Sequence, residues 1–250
     1  MNIDARLQEA AQSFWTARWM NAERQKRKGK QDAGARGAVT AGTQMGAMET
    51  LVADILREAG VNDMDIKTRQ ALELPGYYRA EKMWDLLVVS RGQLVAIMEF
   101  KSQVGPSFGN NLNNRSEEAL GSASCIWTAF REGRFGVGAR PPFIGYVFLL
   151  EDCAAVHKPV KNKEPNFEVD PVYKGNPIKK KGRDAFAGVS YCSRYEILCR
   201  RLVSERLYSS ACLLLSTNAE PTQVSQPAED LTFRRFVAAL QGHVVGFLGG

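Results

Sequence analysis

Apolar residues along this chain fall into two patterns, helical stripes and short continuous runs, with changes of pattern marked by Gly, Pro or polar clusters. Between Ile3 and Met20, Leu7, Ala10, Ala11, Phe14 and Trp15 stand at helical spacing, which predicts an N-terminal amphipathic helix. From Thr43 to Ala59, Met45, Met48, Leu51, Val52, Ile55 and Leu56 form a second helical stripe, closed by Gly60 as a C-terminal cap. Past a Pro-Gly turn come two apolar runs separated by "SRG": one from Trp84 to Val89, the other "LVAIMEF". Both are rich in aliphatic and β-branched residues and too short for a typical helix, so they predict a β-hairpin. "NRSEEALGSASCIWTAFREG" predicts a helix and "PPFIGYVFLLED" (Pro141 to Asp152) another buried strand, giving the order strand, strand, helix, strand.

Residues Val156 to Gly188 hold two Lys- and Pro-rich stretches, "HKPVKNKEP" and "YKGNPIKKKGR", and are expected to be long loops. Helical stripes return in "SRYEILCRRLVSERLYSSACLLLS" and "LTFRRFVAALQGHVV", on either side of a polar linker. The expected fold is α/β, a mixed β-sheet flanked by helices with additional C-terminal helices. The whole chain, 1–250, is expected to form one domain, with a core at about 43–152, basic loops at 156–188 and a helical part at 190–250.

A 44% hydrophobic content over 250 residues supports a sizeable core and excludes disorder throughout. The excess of 33 Lys and Arg over 27 Asp and Glu, a formal +6, is compatible with a polyanionic partner without requiring one. "RQKRKGKQDAGARG" is expected to be a mobile surface segment, with a DNA-binding arm as the alternative. The five Cys show no paired CxxC pattern and sit mostly in apolar segments, which predicts reduced core thiols and no zinc site. No stretch approaches the ~20 apolar residues of a membrane span and no leader pattern opens the chain, so a cytoplasmic protein is expected.

Charged residues at the ends of the hairpin strands carry the candidate chemistry. Glu99 and Lys101 are two apart, so they share one strand face while Phe100 takes the other. Whether Asp85 joins them depends on the turn. A two-residue Arg91-Gly92 loop sets Asp85 opposite Met98 and aims it away from Glu99, whereas a three-residue loop sets it opposite Ile97, diagonal to Glu99. An odd loop or a bulge is therefore predicted. Two acids so close repel, and one stays protonated unless a cation neutralises them. Mg²⁺ suits such hard oxygen ligands. It would polarise a phosphate and lower the pKa of a bound water, with Lys101 holding that water or stabilising developing charge. The chemistry is then phosphodiester hydrolysis; the alternative reading of the bare pattern is charges that merely end strands.

Beyond Lys101, "SFGNNLNNR" offers Asn amides that suit adenine edges and an Arg that suits guanine, or else an ordinary turn-rich loop. The candidate DNA-contacting residues are Gln103, Asn110, Asn111, Asn113, Asn114 and Arg115. Lys158, Lys161, Lys163, Lys174, Lys179, Lys180, Lys181 and Arg183 are candidate phosphate clamps or solvated surface. His157 and His243 have no partners at catalytic spacing, and "GRFGVG" lacks the context of a phosphate loop.

Asp followed by Glu-x-Lys resembles the PD-(D/E)xK nuclease superfamily, whose core is a mixed sheet flanked by helices. Trp84 stands where that motif has Pro. "KSQVGPSFGNNLNNRSEEALGSA", together with "WDLLVV", "GQLVAIMEF" and "RGAVTAGTQMGAME", resembles more specifically the XhoI family of type II restriction endonucleases. The resemblance implies a homodimeric, Mg²⁺-dependent endonuclease acting on double-stranded DNA at the palindrome CTCGAG. It would cut after the first C to leave 5′ overhangs, with a companion methyltransferase protecting host DNA. It further implies that Asp85 and Glu99 bind the metal, the Phe100 carbonyl adds a ligand, and Lys101 serves the water. Glu49 matches the place of an accessory acid in some superfamily members. A structure-selective repair or junction nuclease and a non-catalytic DNA-binding module stand as the alternatives.

Overall fold

The computed structural model describes residues 2–27, 45–160, 173, 178–180, 183–185 and 188–249. Most of the basic stretch after Arg27, and Lys161, Lys163, Lys174 and Lys181, lie outside the described residues. The first helix, α1 (Ile3–Arg27), outruns its apolar stripe by about two polar turns. Helix α2 (Gly46–Glu58) buries Met48, Leu51, Val52, Ile55 and Leu56, the expected stripe. At its end Gly60 takes φ +92, and the Val61 and Gly60 amides donate to the Leu56 and Arg57 carbonyls, so the chain leaves the helix through a left-handed glycine.

Strand β1 (Ile66–Lys67) precedes a small separate hairpin of β2 (Glu73–Pro75) and β3 (Glu81–Met83). Then come β4 (Leu86–Ser90), β5 (Gln93–Gln103), α3 (Phe108–Arg131) and β6 (Phe143–Glu151). A short turn α4 (Ala154–His157) leads to β7 (Pro159–Val160), β8 (Ile178–Lys180), β9 (Arg183–Ala185) and β10 (Val189–Ser190). The chain closes with α5 (Tyr191–Ser204), β11 (Ser210–Ser216), β12 (Val224–Ser225) and α6 (Phe233–Leu248). Lys179, Lys180 and Arg183 fall on the β8–β9 hairpin, and Lys158 is exposed.

Six strands form the central sheet in the order β1-β4-β5-β6-β11-β12. β5, β6 and β11 run parallel, flanked by antiparallel neighbours, so the sheet is mixed as expected. Its two faces bury separate clusters. On one, Met98 and Phe100 meet Phe14 and Trp15 of α1, Met48 and Leu56 of α2, and Phe236 and Leu240 of α6. On the other, Ile97, Ile144 and Phe148 meet Leu112 and Ile126 of α3 and Tyr195 and Leu202 of α5. Alternation along β5 and β6 sends successive side chains to opposite clusters, giving three layers. At Gly145 a Cβ would fall 2.5 Å from Met98 Sδ and 2.8 Å from the Phe236 ring, so only glycine fits there.

Two segments differ from expectation. "SFGNNLNNR" is not a loop: from Phe108 it forms the first turns of α3. Phe108, Leu112, Ala119, Ala123 and Ile126 carry one buried stripe through the Asn-rich segment, and that burial outweighs the turn preference of Asn. The second is "SACLLLS", which pairs in parallel with β6 over all its length as a central strand rather than continuing a helix. A continuous apolar run has no period to separate the two states. Leu213, Leu214, Leu215, Phe233, Phe236 and Leu240 are all core. All five Cys are free, and four of them are buried. Among the described residues no helix is long and apolar enough to cross a membrane.

Candidate active site

The β4–β5 hairpin brings the acids together by a bulge rather than by an odd loop. Ser90 pairs with Gln93, leaving Arg91 and Gly92 as a two-residue turn with φ 52 and 74, the positive values a type I′ turn requires. The register then shifts, so that Val89 pairs with Leu94 but Val88 with Ala96, leaving Val95 as the extra residue. Beyond the bulge Leu86 faces Met98, and the next position out sets Asp85 against Glu99. One inserted residue thus turns Asp85 to the face that Glu99 and Lys101 occupy.

Lys101 Nζ sits between the two acids, 3.1 Å from Glu99 Oε1 and 3.7 Å from Asp85 Oδ2. The Phe100 amide donates to Asp85 Oδ2 at 2.7 Å. Glu99 is only 2% exposed, yet all of its charge is answered. Lys82 Nζ donates to Oε1 at 2.7 Å, and the Tyr208 hydroxyl donates to Oε2 at 2.7 Å. Lys82 is itself fixed by Ser122 Oγ at 2.6 Å and lies 3.7 Å from the centroid of the Trp84 ring.

These surroundings drive the two carboxylates apart. Burial pushes Glu99 up, but Lys101, Lys82 and the Tyr208 hydroxyl together hold it below the usual carboxylate range. Burial pushes Asp85 up, and Lys101 and the Phe100 amide offset that only in part. Burial would lower Lys101, but Glu99 and Asp85 hold it above its ordinary value, so it stays charged. Lys82 is lowered, because its burial outweighs the attraction of Glu99. Glu49, on α2, is pushed up to about 7 by burial and by the neighbouring negative charge of Asp85.

Glu49, Trp84 and Asp85 line an open cleft of about 1020 Å³ with Arg69, Thr50 and Met83. The cleft is large enough for an extended polyanion segment to reach Asp85. Among the described residues no three His, Cys, Asp or Glu side chains form a ready-made metal cage. Asp85 lines the cleft and Glu99, beside it on β5, is buried; a pair of carboxylates is the hard oxygen donor set that suits Mg²⁺, which takes one or two protein carboxylates.

The remaining sequence candidates are distributed differently. Asn110, Asn113 and Asn114 are exposed on one face of α3, three and four apart, and Asn111 is half-buried. Arg115 pairs with Glu118 at 2.6 Å and lies near enough to Lys101 to oppose its charge. Gln103 is buried, with its amide donated to the Val104 carbonyl. His157 pairs with Asp152, and His243 meets the Val95 carbonyl, away from the acids. Sequence reasoning missed Lys82, Ser122 and Tyr208, which come from β3, α3 and the connection before β11, far apart in the chain. Burial of Glu99 was the only signal for them, since a buried carboxylate demands partners.

The protein-family model "Restriction endonuclease XhoI" matches residues 24–226. The type II restriction enzyme BstVI of Geobacillus stearothermophilus is 46% identical over 220 residues, covering 85% of this chain and 92% of that enzyme. The type II restriction enzyme XhoI of Xanthomonas vasicola is 42% identical over 192 residues, 76% of this chain and 71% of that one. AbrI, a type II restriction enzyme of Azospirillum brasilense, is 42% identical over 177 residues, 70% of this chain and 79% of its own. No solved structure gives a significant match. The protein is thus a type II restriction endonuclease. Within that class, the chain belongs to the XhoI family.

Proposed function

We propose that this enzyme hydrolyses double-stranded DNA at the palindrome CTCGAG, cutting after the first C to leave 5′ overhangs, as a Mg²⁺-dependent homodimer. The observation that carries the chemistry is the Asp85, Glu99 and Lys101 cluster, built by one bulge in a family of DNA-cutting enzymes. Asp85 and Glu99 would hold the ion, with the Phe100 carbonyl as a further ligand. Bound there, Mg²⁺ supplies a polarised phosphate and an acidified water.

The chain's own residues do the rest. Lys101, kept charged between the acids, orients the attacking water and stabilises charge growing on the phosphate. Glu49 faces the same cleft with a proton affinity near neutrality, which suits it to accept a proton as the water is activated. The exposed Asn110, Asn113 and Asn114 present amides on one helical face, a geometry that reads base edges in a major groove. Gln103, Asn111 and Arg115 sit deeper and would reach DNA only with local adjustment. A two-fold dimer gives each strand of a palindrome one catalytic centre.

Unmethylated DNA incubated with the enzyme and Mg²⁺ tests the reading. Discrete fragments with ends inside CTCGAG are expected. Fragments from another site would overturn the specificity, and cutting confined to branched DNA would favour a junction nuclease instead.

A further inference from the structure

Lys82 is the feature that the proposed reaction leaves unexplained. It belongs to the β2–β3 hairpin, a two-stranded ribbon separate from the central sheet. Even so, its side chain is only 14% exposed and ends on Glu99 Oε1, the oxygen that shares Lys101 with Asp85. Its anchors are the Ser122 hydroxyl and the face of Trp84. Lys101 alone already bridges both acids. Lys82 adds a second buried ammonium to the same carboxylate oxygen.

The charge count gives that second ammonium a meaning. Asp85 and Glu99 carry two negative charges and Lys82 and Lys101 two positive ones, so these four groups balance without any metal, with Glu49 and Arg115 of opposite sign beyond them. A divalent cation entering it meets two ammonium groups in surroundings of low dielectric and is repelled by both. Lys101 is held by two acids of the sheet hairpin, whereas Lys82 touches one acid and comes from a ribbon that shares no strand pairing with the central sheet. A DNA phosphate brings the negative charge that would let the ion and both ammonium groups coexist.

Resting on the reading of Asp85 and Glu99 as metal ligands, we infer that Lys82 is a built-in counter-ion. It holds the place of the divalent cation at Glu99 and keeps metal affinity low until DNA is bound. Lys82 thus acts on the metal through Glu99, and it makes loading of the site depend on substrate.

The test titrates Mn²⁺ into the DNA-free full-length protein, by calorimetry or by the electron-spin signal of the free ion, for wild type and Lys82→Met. Removing one positive charge this close should tighten Mn²⁺ binding about tenfold or more. The rise in Tm on adding Mn²⁺ should grow in parallel, because a ligand stabilises in proportion to its occupancy. Lys82→Arg, which keeps the charge, should stay near wild type. Ser122→Ala removes an anchor of Lys82 and should move affinity the same way by a smaller factor, which keeps the question open to test if Lys82→Met fails to fold. Equal or weaker Mn²⁺ binding in both Lys82→Met and Ser122→Ala overturns the inference. If Mn²⁺ then still binds the wild-type DNA complex and is lost in Asp85→Ala and Glu99→Ala, the metal site survives that failure. Should those two variants bind Mn²⁺ as wild type does, the metal reading falls and the role of Lys82 falls with it.

Discussion

The two faces of the central sheet are built from the same strands yet serve different ends. The face toward α1, α2 and α6 is filled by Met, Leu, Val, Phe and Trp side chains around Met98 and Phe100. The face toward α3 and α5 carries a comparable apolar cluster, but Glu99, Ser122 and Tyr208 are buried within or beside it. Adjacent residues of β5, Met98 and Glu99, point to opposite faces and so belong to different problems. Met98 needs only to be covered. Glu99 has to be covered and neutralised, and the fold supplies two ammonium groups and a phenol to do it. Apolar burial dominates one face, whereas the other holds a demanding polar network around Glu99.

Substitutions on each face sharpen that contrast. The largest effect is expected from Glu99→Ala, which removes a proposed metal ligand and leaves Lys82 and Lys101 with an unmatched buried charge. Cleavage should fall by at least about 10³-fold, and urea unfolding should show a loss of about 3–5 kcal/mol. Lys101→Met should lower the cleavage rate by about 10² to 10³-fold in single-turnover assays. On the opposite face, Phe236→Ala should cost about 3–5 kcal/mol by the same unfolding measurement. Its cleavage rate per folded molecule should stay within about twofold of wild type, since no charge near Glu99 changes. If Phe236→Ala impairs the chemistry as much as Lys101→Met does, the faces are not separate in function.

The smallest effect separates the acids by pH. Glu49 is raised from 4.5 to about 7, so its contribution to stability is fully present below about 4.5 and is lost as pH rises through about 7. Glu99 is lowered, so its contribution is present above the unfolded value and is lost as pH falls through its folded value. In Tm-against-pH curves recorded with EDTA, Glu49→Gln should flatten the decline between about 4.5 and 7. Glu99→Gln should instead flatten the decline on the acid side. An unchanged neutral-side slope in Glu49→Gln would show that Glu49 is not held near neutrality by burial and Asp85.

Hydrophobic spacing made most of the apolar face legible. The stripes of α1 and α2, the hairpin and the strand at β6 all follow from it, because there burial is the only requirement. The site was legible in part. Glu99 and Lys101 share a face by strand alternation alone, and the bulge that aligns Asp85 was one of two devices that spacing allowed. Lys82 and Tyr208 were not legible, since each meets Glu99 through tertiary packing, 17 and 109 residues away along the chain. "ACLLLS" shows the limit of periodicity itself: its run of apolar residues fits a buried strand or a buried helix, and pairing with β6 decides. In "SFGNNLNNR" local turn preference was overruled by Phe108 and Leu112 docking on the sheet.

Asp85 offers the most direct measurement, being partly exposed at the cleft and held by fewer partners than Glu99. Wild type and Asp85→Ala are incubated with unmethylated DNA bearing CTCGAG and Mg²⁺, and gel retardation of the same DNA is measured with Ca²⁺. Discrete cutting by wild type is expected, with none by Asp85→Ala although that variant still retards the DNA. Cutting by Asp85→Ala at the wild-type rate would contradict a hydrolytic centre on the β4–β5 hairpin.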